Sequence, residues 1–303
     1  MALNKLVKFM GGFFLACLAS TSVDFAQADM LDANSAATLR AQHATLREAL
    51  ARNPFQLPLY LDSHQTSGEL RGDVHALVNY PFTTVSAALK GASHWCDILF
   101  LHLNVKYCRA SEDGQGNLLT VYVGRKYDQP LSEAFRAEFV YRVAAEAPDY
   151  FQIILTAEKG PLSTERYRIM LEATPLDGGR TIIHLSYSYA YGLTAKLATQ
   201  AYFGTLGRNK VGFTVIGKKP DGQPIYVGDM RGALERNTMR YYLAIDAYLS
   251  AYSAPSPQQL EKRLHSWFAS TERYPLQLHE VEQSEYLDMK RKEYRRQQTD
   301  IQH

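Results

Sequence analysis

Several groups of residues in this chain have types and spacings that could do chemistry. Gly212-Phe-Thr-Val-Ile-Gly217-Lys218 has the spacing of a phosphate-binding loop. Lys219 stands where Ser or Thr is required, Pro220 follows, and no helix opens there to present its N–H groups, so the spacing reads as a chance match inside a hairpin. His184, Ser186 and Ser188 alternate along Arg180 to Tyr191, and an imidazole near its working pKa beside hydroxyls suits acid–base chemistry. Strand parity turns them away from Ile183, Leu185 and Tyr187, and only a one-residue register slip would bring them to the same face. Glu235, Arg236 and Arg240 sit at helical spacing, where residues four apart meet. A solvated or structural ion pair is the plain reading. The sharper one has Arg236 or Arg240 binding an anionic head group at the mouth of a cavity.

Asp62, His64, Asp73 and His75 read as strand or turn residues on a solvated face. No Gly-x-Ser-x-Gly elbow or His-Glu-x-x-His helix occurs. No cofactor or metal is expected. A net charge of +2 gives no global basic field for nucleic acid.

The amino terminus reads as a targeting segment, residues 1–28. Lys5 and Lys8 form a positive start, Phe9 to Ala19 an apolar stretch, and Ala26-Gln27-Ala28 a small-x-small cleavage site after Ala28. The alternative, lipidation at Cys17, is poorly supported by Phe14 and Leu15 before it. The mature protein is therefore expected to be exported and periplasmic. An oxidising compartment permits a bond between Cys96 and Cys108, a pair of buried thiols being the alternative.

These residues need elements to hold them. Asp29 to Arg52 reads as a helix, Leu59 to His64 and Glu69 to Tyr80 as strands, and Pro81 opens a short helix whose buried face is Phe82, Val85 and Leu89. His94 to Leu101 adds another helical turn or two. The period then switches to two. Asn104–Ser111, Leu118–Tyr127, Arg136–Ala145, Tyr150–Glu158, Thr164–Thr174 and Arg180–Tyr191 read as strands joined by turns too short for parallel crossovers, predicting an antiparallel meander. Helical pattern over Leu193–Leu206, a hairpin over Val211–Val227, the long helix Arg231–Tyr252, and helices Gln258–Arg273 and Leu276–Gln298 follow. The long helix has a broad apolar stripe through Leu234, Tyr242, Ile245 and Leu249 and a narrow one at Met239 and Leu243, so it is expected to be covered on two sides. The second stripe should meet the appended helices, at Leu264, Trp267 or Phe268.

The stretches GDVHALVNYPFTTVSAALKGASHWCDIL, TPLDGGRTIIHLSYSYAY and ERNTMRYYLAIDAYLSAY carry a resemblance. In their order, strand, Pro-Phe-led helix, meander and long helix, the chain resembles the START-like, polyketide cyclase-like (SRPBCC) lipid-binding superfamily. That resemblance implies an α+β, helix-grip fold, a curved antiparallel sheet wrapped around a long helix. It covers 58–252 as the helix-grip domain, with an insertion at 193–230 and a C-terminal helical appendage at 253–303 as departures, and 29–57 precedes it as an N-terminal helical segment. It further implies a cavity for a lipid or other apolar small molecule. By strand parity the sheet would contribute Phe139, Tyr141, Phe151, Ile153, Tyr167, Ile169, Leu185, Tyr187 and Tyr189. The helix would add Leu234, Thr238, Tyr241, Tyr242 and Ile245. The alternative is that these side chains fill a solid core. The chain has 20 Tyr, and a buried phenol needs a polar partner, which favours a lining role toward a ligand with a polar end.

Two other functions stay open. One is an enzyme using the same cavity, which needs an inward ionisable group. The other is an envelope interaction protein docking through Leu276–Gln298, which needs an exposed apolar patch there. The basic run Lys290-Arg291-Lys292-Glu293-Tyr294-Arg295-Arg296 could also give peripheral contact with an anionic membrane surface.

Overall fold

The computed structural model describes residues 35–113, 116–193 and 210–301. The targeting segment 1–28, with Cys17 and the cleavage site, lies outside the described residues, as does the helix expected over 193–206 beyond its first residue. No helix among the described residues is long and apolar enough to cross a membrane.

An antiparallel sheet of eight strands organises the chain: β1 (Leu59–Gln65), β2 (Glu69–Val78), β3 (Val105–Asp113), β4 (Gly116–Val123), β5 (Phe135–Ala147), β6 (Tyr150–Lys159), β7 (Thr164–Leu176) and β8 (Arg180–Tyr191). Its order is β1-β2-β8-β7-β6-β5-β4-β3. The meander expected from the short turns runs from β3 to β8. The exception is the hairpin β1–β2, which closes against β8 rather than continuing into β3. Helices α2 (Phe82–Leu89) and α3 (Ala92–Phe100) carry the chain across, α2 packing on β7 and β8 and α3 on β3 and β4. A disulfide joins Cys96 in α3 to Cys108 in β3. Upstream, α1 (Ala36–Ala51) begins at Ser35, whose hydroxyl accepts the Thr38 N–H.

The long helix α4 (Asp229–Ala251) starts two residues before the expected Arg231. The sheet, α3 and α5 (Ser256–Thr271) pack around it, giving the helix-grip arrangement. Its broad stripe meets β1 and β2, and the fit is close: a Cβ on Gly72 would stand 2.5 Å from Thr238 Oγ1. On the other side the Trp267 indole donates to the Arg240 carbonyl at 3.1 Å, and Met239 and Leu243 are fully buried. The solvated reading of Glu235, Arg236 and Arg240 is corrected here, because all three are buried. Glu235 accepts from Ser63 Oγ at 2.5 Å, Phe213 N at 2.6 Å and Thr214 N at 2.9 Å, clamping the end of the insertion against β1. Gly212 fits beneath it because a Cβ there would lie 2.5 Å from Glu235 Oε2. The apparent phosphate-loop residues thus belong to packing and to a hairpin, β9 (Val215–Lys218) with β10 (Pro224–Tyr226).

The helix expected over 276–298 is two helices, α6 (Pro275–Leu278) and α7 (Gln283–Ile301). The break frees carbonyls that a continuous helix would use internally: Leu278 O accepts from Arg240 at 3.2 Å and His279 O from Lys210 at 3.0 Å. Helix α7 seals the edge strand β3. Lys290 Nζ donates to Val105 O at 2.6 Å, Gln297 Oε1 accepts Cys108 N–H at 3.0 Å, and Arg296 reaches Lys106 O. Tyr286, Leu287 and Met289 are buried, so the apolar residues of this helix face inward rather than toward a partner. The basic run at the end of α7 is exposed only in part. Lys290 is buried with Glu293, Arg291 pairs with Glu261, and Arg296 binds backbone carbonyls, while Lys292, paired with Asp128, and Arg295 are exposed.

On the sheet face opposite α4, α1 covers β1, β2, β7 and β8 through Leu39, Leu50 and Ile182. Beneath it lies a buried charged cluster. His184 Nδ1 is 2.8 Å from Glu172 and its Nε2 2.8 Å from Asp73. Arg71 grips Asp73 with two bonds of 2.9 Å, Tyr150 donates to Glu172, and the His75 ring stacks on His184 at 4.1 Å. The solvated reading holds for the exposed pair Asp62–His64, but Asp73 is buried, and His75 is largely covered and takes Gln42 from α1 as a partner.

Burial pulls the His184 imidazole down, but hydrogen bonds to Asp73 and Glu172 outweigh it and raise its pKa. The same contacts, with Arg71 and Tyr150, hold the two carboxyls below their ordinary range despite burial. His75 is pushed down to about 4 by burial and by the neighbouring His184 charge. The His184 contribution is therefore present in full below its ordinary value of 6.5 and lost as pH rises through its raised folded value. Those of the carboxylates and of His75 run the other way, lost as pH falls. His184→Gln is expected to lower stability by roughly 2 to 3 kcal/mol near pH 6. In chemical denaturation across pH, that deficit shrinks on the alkaline side; a deficit independent of pH would contradict the ionised pair.

Candidate functional site

Between the concave sheet face and the first half of α4 the structure holds a cavity of about 590 Å³, open on one side. This size is within the range of small-molecule sites. Its sheet wall is made by alternate residues of β4, β5, β7 and β8: Val121 and Val123, Phe135, Ala137 and Phe139, Tyr167 and Ile169, Tyr187 and Tyr189. Parity explains why these meet, since Ile169 lies opposite Tyr187 and Phe139 opposite Leu119 in the ladder. Helix α4 contributes Met230, Ala233, Asn237 and Tyr241, spaced three and four apart. Loops close the ends with Gly124 to Lys126, Gln129 and Glu133 on one side and Lys159 to Leu162 on another.

Six of the residues read from the sequence come together here: Phe139, Tyr167, Ile169, Tyr187, Tyr189 and Tyr241. The others do not line the cavity. Ile153 and Leu185, with Phe151, lie in the fully buried core. Tyr141 donates to the Lys90 carbonyl at 2.5 Å. Leu234, Thr238, Tyr242 and Ile245 are also core residues, and Thr238 returns its hydroxyl to Leu234 O at 2.9 Å. The helix face was thus misassigned by about one residue in each turn. Its most apolar stripe packs dry against the sheet, and the cavity takes the neighbouring stripe, which is small or polar. The register slip that would have turned His184, Ser186 and Ser188 inward does not occur, since His184 stays on the face under α1.

The tyrosines form a continuous aromatic wall. Tyr167 stacks on Tyr189 at 5.2 Å, and Tyr187 meets Tyr241 edge-on at 5.1 Å. Tyr167 exchanges a hydrogen bond with Thr164 at 2.7 Å. The hydroxyls of Tyr187, Tyr189 and Tyr241 make no hydrogen bond with protein among the described residues. Burial raises the pKa of all three, so they stay protonated donors.

One end of the cavity is cationic. Arg236 and Arg240 are buried in its wall, and Lys126 joins them from the β4–β5 loop. Glu280 lies behind, bonded to Lys126 at 2.5 Å, Arg240 at 2.7 Å and Lys210 at 3.0 Å. Arg236 donates to Val211 O at 3.1 Å. Burial alone would raise Glu280, but Arg240, Lys126 and Lys210 outweigh it and bring it to about 2. Lys126 is pushed down to about 8 by burial and by Arg240, against the pull of Glu280.

His102, at the end of α3, was missed in the sequence. Only its place just before Asn104, at the helix-to-strand turn, could have pointed to it. Its Nδ1 accepts the Asn104 N–H at 3.1 Å, its ring lies 5.2 Å from Tyr241, and its Nε2 makes no regular hydrogen bond although Asn237 is adjacent. Burial, then Arg240, Lys290 and Lys126, lower its pKa well below the ordinary value, so it is neutral. No grouping of His, Cys, Asp and Glu among the described residues is arranged to hold a metal.

No family model matches the sequence, and no curated protein matches it. Solved structures give slight likenesses. Human StAR-related lipid transfer protein 5 aligns over 56% of this chain and 89% of its own at 11% identity and a TM-score of 0.30. Norcoclaurine synthase from Thalictrum flavum, in truncated form, aligns over 48% and 91% at 13% identity and 0.32. CalU16 from Micromonospora echinospora aligns over 70% and 96% at 11% and 0.28. Scores of this size carry no argument, and the helix-grip arrangement rests on the strand order and packing of this chain.

The hydroxyls separate into two classes with different expected costs. Tyr187→Phe removes no protein hydrogen bond and should leave the unfolding free energy within about 0.5 kcal/mol of the parent. Tyr150→Phe strips a donor from buried Glu172 and should cost roughly 2 kcal/mol. Equal losses in urea denaturation would refute the free-hydroxyl assignment.

Proposed function

We propose that this chain is an exported, periplasmic protein that binds a lipid or other apolar molecule between sheet and α4, without covalent chemistry. In bound form it can carry that molecule. The cavity is the observation that bears the reading: about 590 Å³ of space walled by valine, phenylalanine and tyrosine, where a solid core would have been expected to close. The Cys96–Cys108 bond supports export, since such bonds persist in oxidising compartments. Peripheral membrane contact through the basic tail would rest on the exposed Lys292 and Arg295, since Lys290 is buried with Glu293 and Arg291 is paired with Glu261.

A second reading, acid–base catalysis in the same cavity, is favoured by one observation. His102 is an inward ionisable group beside Tyr241 and Asn237. Its depressed pKa makes it a weak base near neutral pH, which is why binding is preferred.

Native mass spectrometry of the gently purified protein, followed by solvent extraction, tests the binding reading. The parent is expected to carry apolar adducts. Ala233→Trp, which places an indole in the cavity, should lose most of them while keeping its fold by circular dichroism. A parent free of adducts that takes up no added lipid would sink the proposal.

A further inference from the structure

The binding reading leaves open what kind of apolar molecule fits, and the phenols of the cavity wall bear on that. Five of the buried tyrosines away from the cavity, Tyr141, Tyr150, Tyr191, Tyr274 and Tyr286, each donate to a protein oxygen. Tyr187, Tyr189 and Tyr241 border the cavity, and among the described residues their hydroxyls meet no protein partner. Their rings adjoin across two elements. Tyr187 lies 5.7 Å from Tyr189 on β8 and meets Tyr241 of α4 edge-on at 5.1 Å. The wall around them is hydrocarbon: Ile169 pairs with Tyr187 in the ladder, and Phe139 lies edge-on to Tyr167. A hydroxyl in such a place gains nothing from protein that a phenylalanine ring would not give. Its donor goes unanswered unless the contents of the cavity supply an oxygen. Burial, and then the nearness of Tyr167, Tyr241 and Tyr189, raises the Tyr187 pKa, so that phenol keeps its proton to donate. His102 extends the set past Tyr241, its ring 5.2 Å away. With Nδ1 taken by the Asn104 N–H, the neutral imidazole holds its proton on Nε2, beside Asn237 and without a regular hydrogen bond.

We propose that the cavity takes a neutral apolar molecule that carries a carbonyl oxygen within its ring or chain, a ketone, quinone or ester, and that Tyr187 and Tyr241 donate to that oxygen. The inference rests on the binding reading and narrows it to a chemical class. A carbonyl has two lone pairs and no proton, which matches a wall whose unclaimed polar atoms are hydroxyls and an imidazole N–H. A plain hydrocarbon leaves those donors unanswered. An ionised head seated at the phenols would answer them, but against Ile169 and Phe139 it costs more to bury than a neutral oxygen does.

Fluorene and fluorenone share one carbon skeleton and differ by a single carbonyl, so their affinities for the delipidated full chain isolate that group. A cavity offering only hydrocarbon would prefer fluorene, because the carbonyl leaves water without a new partner. Equilibrium dialysis is expected to give fluorenone roughly fivefold tighter binding, the size of one neutral hydrogen bond. Tyr187→Phe combined with Tyr241→Phe should bring that ratio to one or below. In the same variant the infrared stretch of the bound carbonyl, lowered by the phenols in the parent, should rise toward its position in hydrocarbon solvent. Circular dichroism checks the fold, and if the double variant does not fold, Tyr187→Phe alone decides through the same infrared shift. Fluorene binding as tightly as fluorenone, or more tightly, would overturn the carbonyl inference and leave the cavity reading intact. Failure of both to bind would overturn both readings. A ratio and a stretch unmoved by the substitutions would overturn the phenols as the donors. Fluorene-9-carboxylate binding more tightly than fluorenone would overturn the neutral class.

Discussion

The structure depends on burying a helix that is not apolar all round. Helix α4 carries Glu235, Arg236 and Arg240 in a stretch where nearly every side chain is out of solvent. A buried charge without partners costs several kcal/mol, more than one helix–sheet contact returns. Each of these groups is met, wholly or in part, by a segment outside the sheet. Glu235 is satisfied by Ser63 and the backbone of 213–214, Arg236 bonds Val211, and Arg240 bonds Leu278 and Glu280. The insertion and the C-terminal extension are thus the polar complement of the helix that the sheet grips.

The extension has a second role that follows from sheet topology. With β2 closing on β8, the meander ends at β3, and an open edge strand presents unpaired backbone groups. Helix α7 answers several of them with side chains rather than with another strand. Lys290 and Lys106 sit at the centre of that seam, fully buried around Glu293, and burial pushes Lys290 down to about 8. The disulfide fastens α3 to the same strand. The floor of the cavity near His102 is therefore held by a lysine seam, a covalent bond and the stacked pair Trp267–Tyr286.

Period-two patterning made the sheet legible, down to which face of β5, β7 and β8 turns inward. Five of the six correctly placed cavity residues are sheet residues for that reason: Phe139, Tyr167, Ile169, Tyr187 and Tyr189. The helix side was less legible because hydrophobicity marks the stripe that packs driest, and a cavity forms where packing is incomplete. Ala233 and Asn237, one small and one polar, carry little hydrophobic signal, yet they border the empty space. Charges misled in the opposite direction. Asp73, Glu235, Arg240 and Lys290 read as solvent-facing because such residues usually are, and the partners that bury them lie tens to hundreds of positions away. The break between α6 and α7 was hidden likewise, since the carbonyls it frees are claimed by Arg240 and Lys210.

The two polar systems on either side of the sheet differ in one respect that separates structure from function. Under α1, Arg71 and His184 face Asp73 and Glu172, with both imidazole nitrogens on carboxylates. That cluster finds its partners within itself, with Arg71 at its solvent edge, and a ligand would only disturb it. At the cavity end, Glu280 binds Lys126, Arg240 and Lys210, and among the described residues the hydroxyls of Tyr187 and Tyr241 make no hydrogen bond to protein. Folding alone gives no reason to place phenol hydroxyls without protein partners beside an apolar space, because phenylalanine would pack there without an unanswered donor. Under the proposed binding role, the partner those hydroxyls need arrives with what the cavity holds.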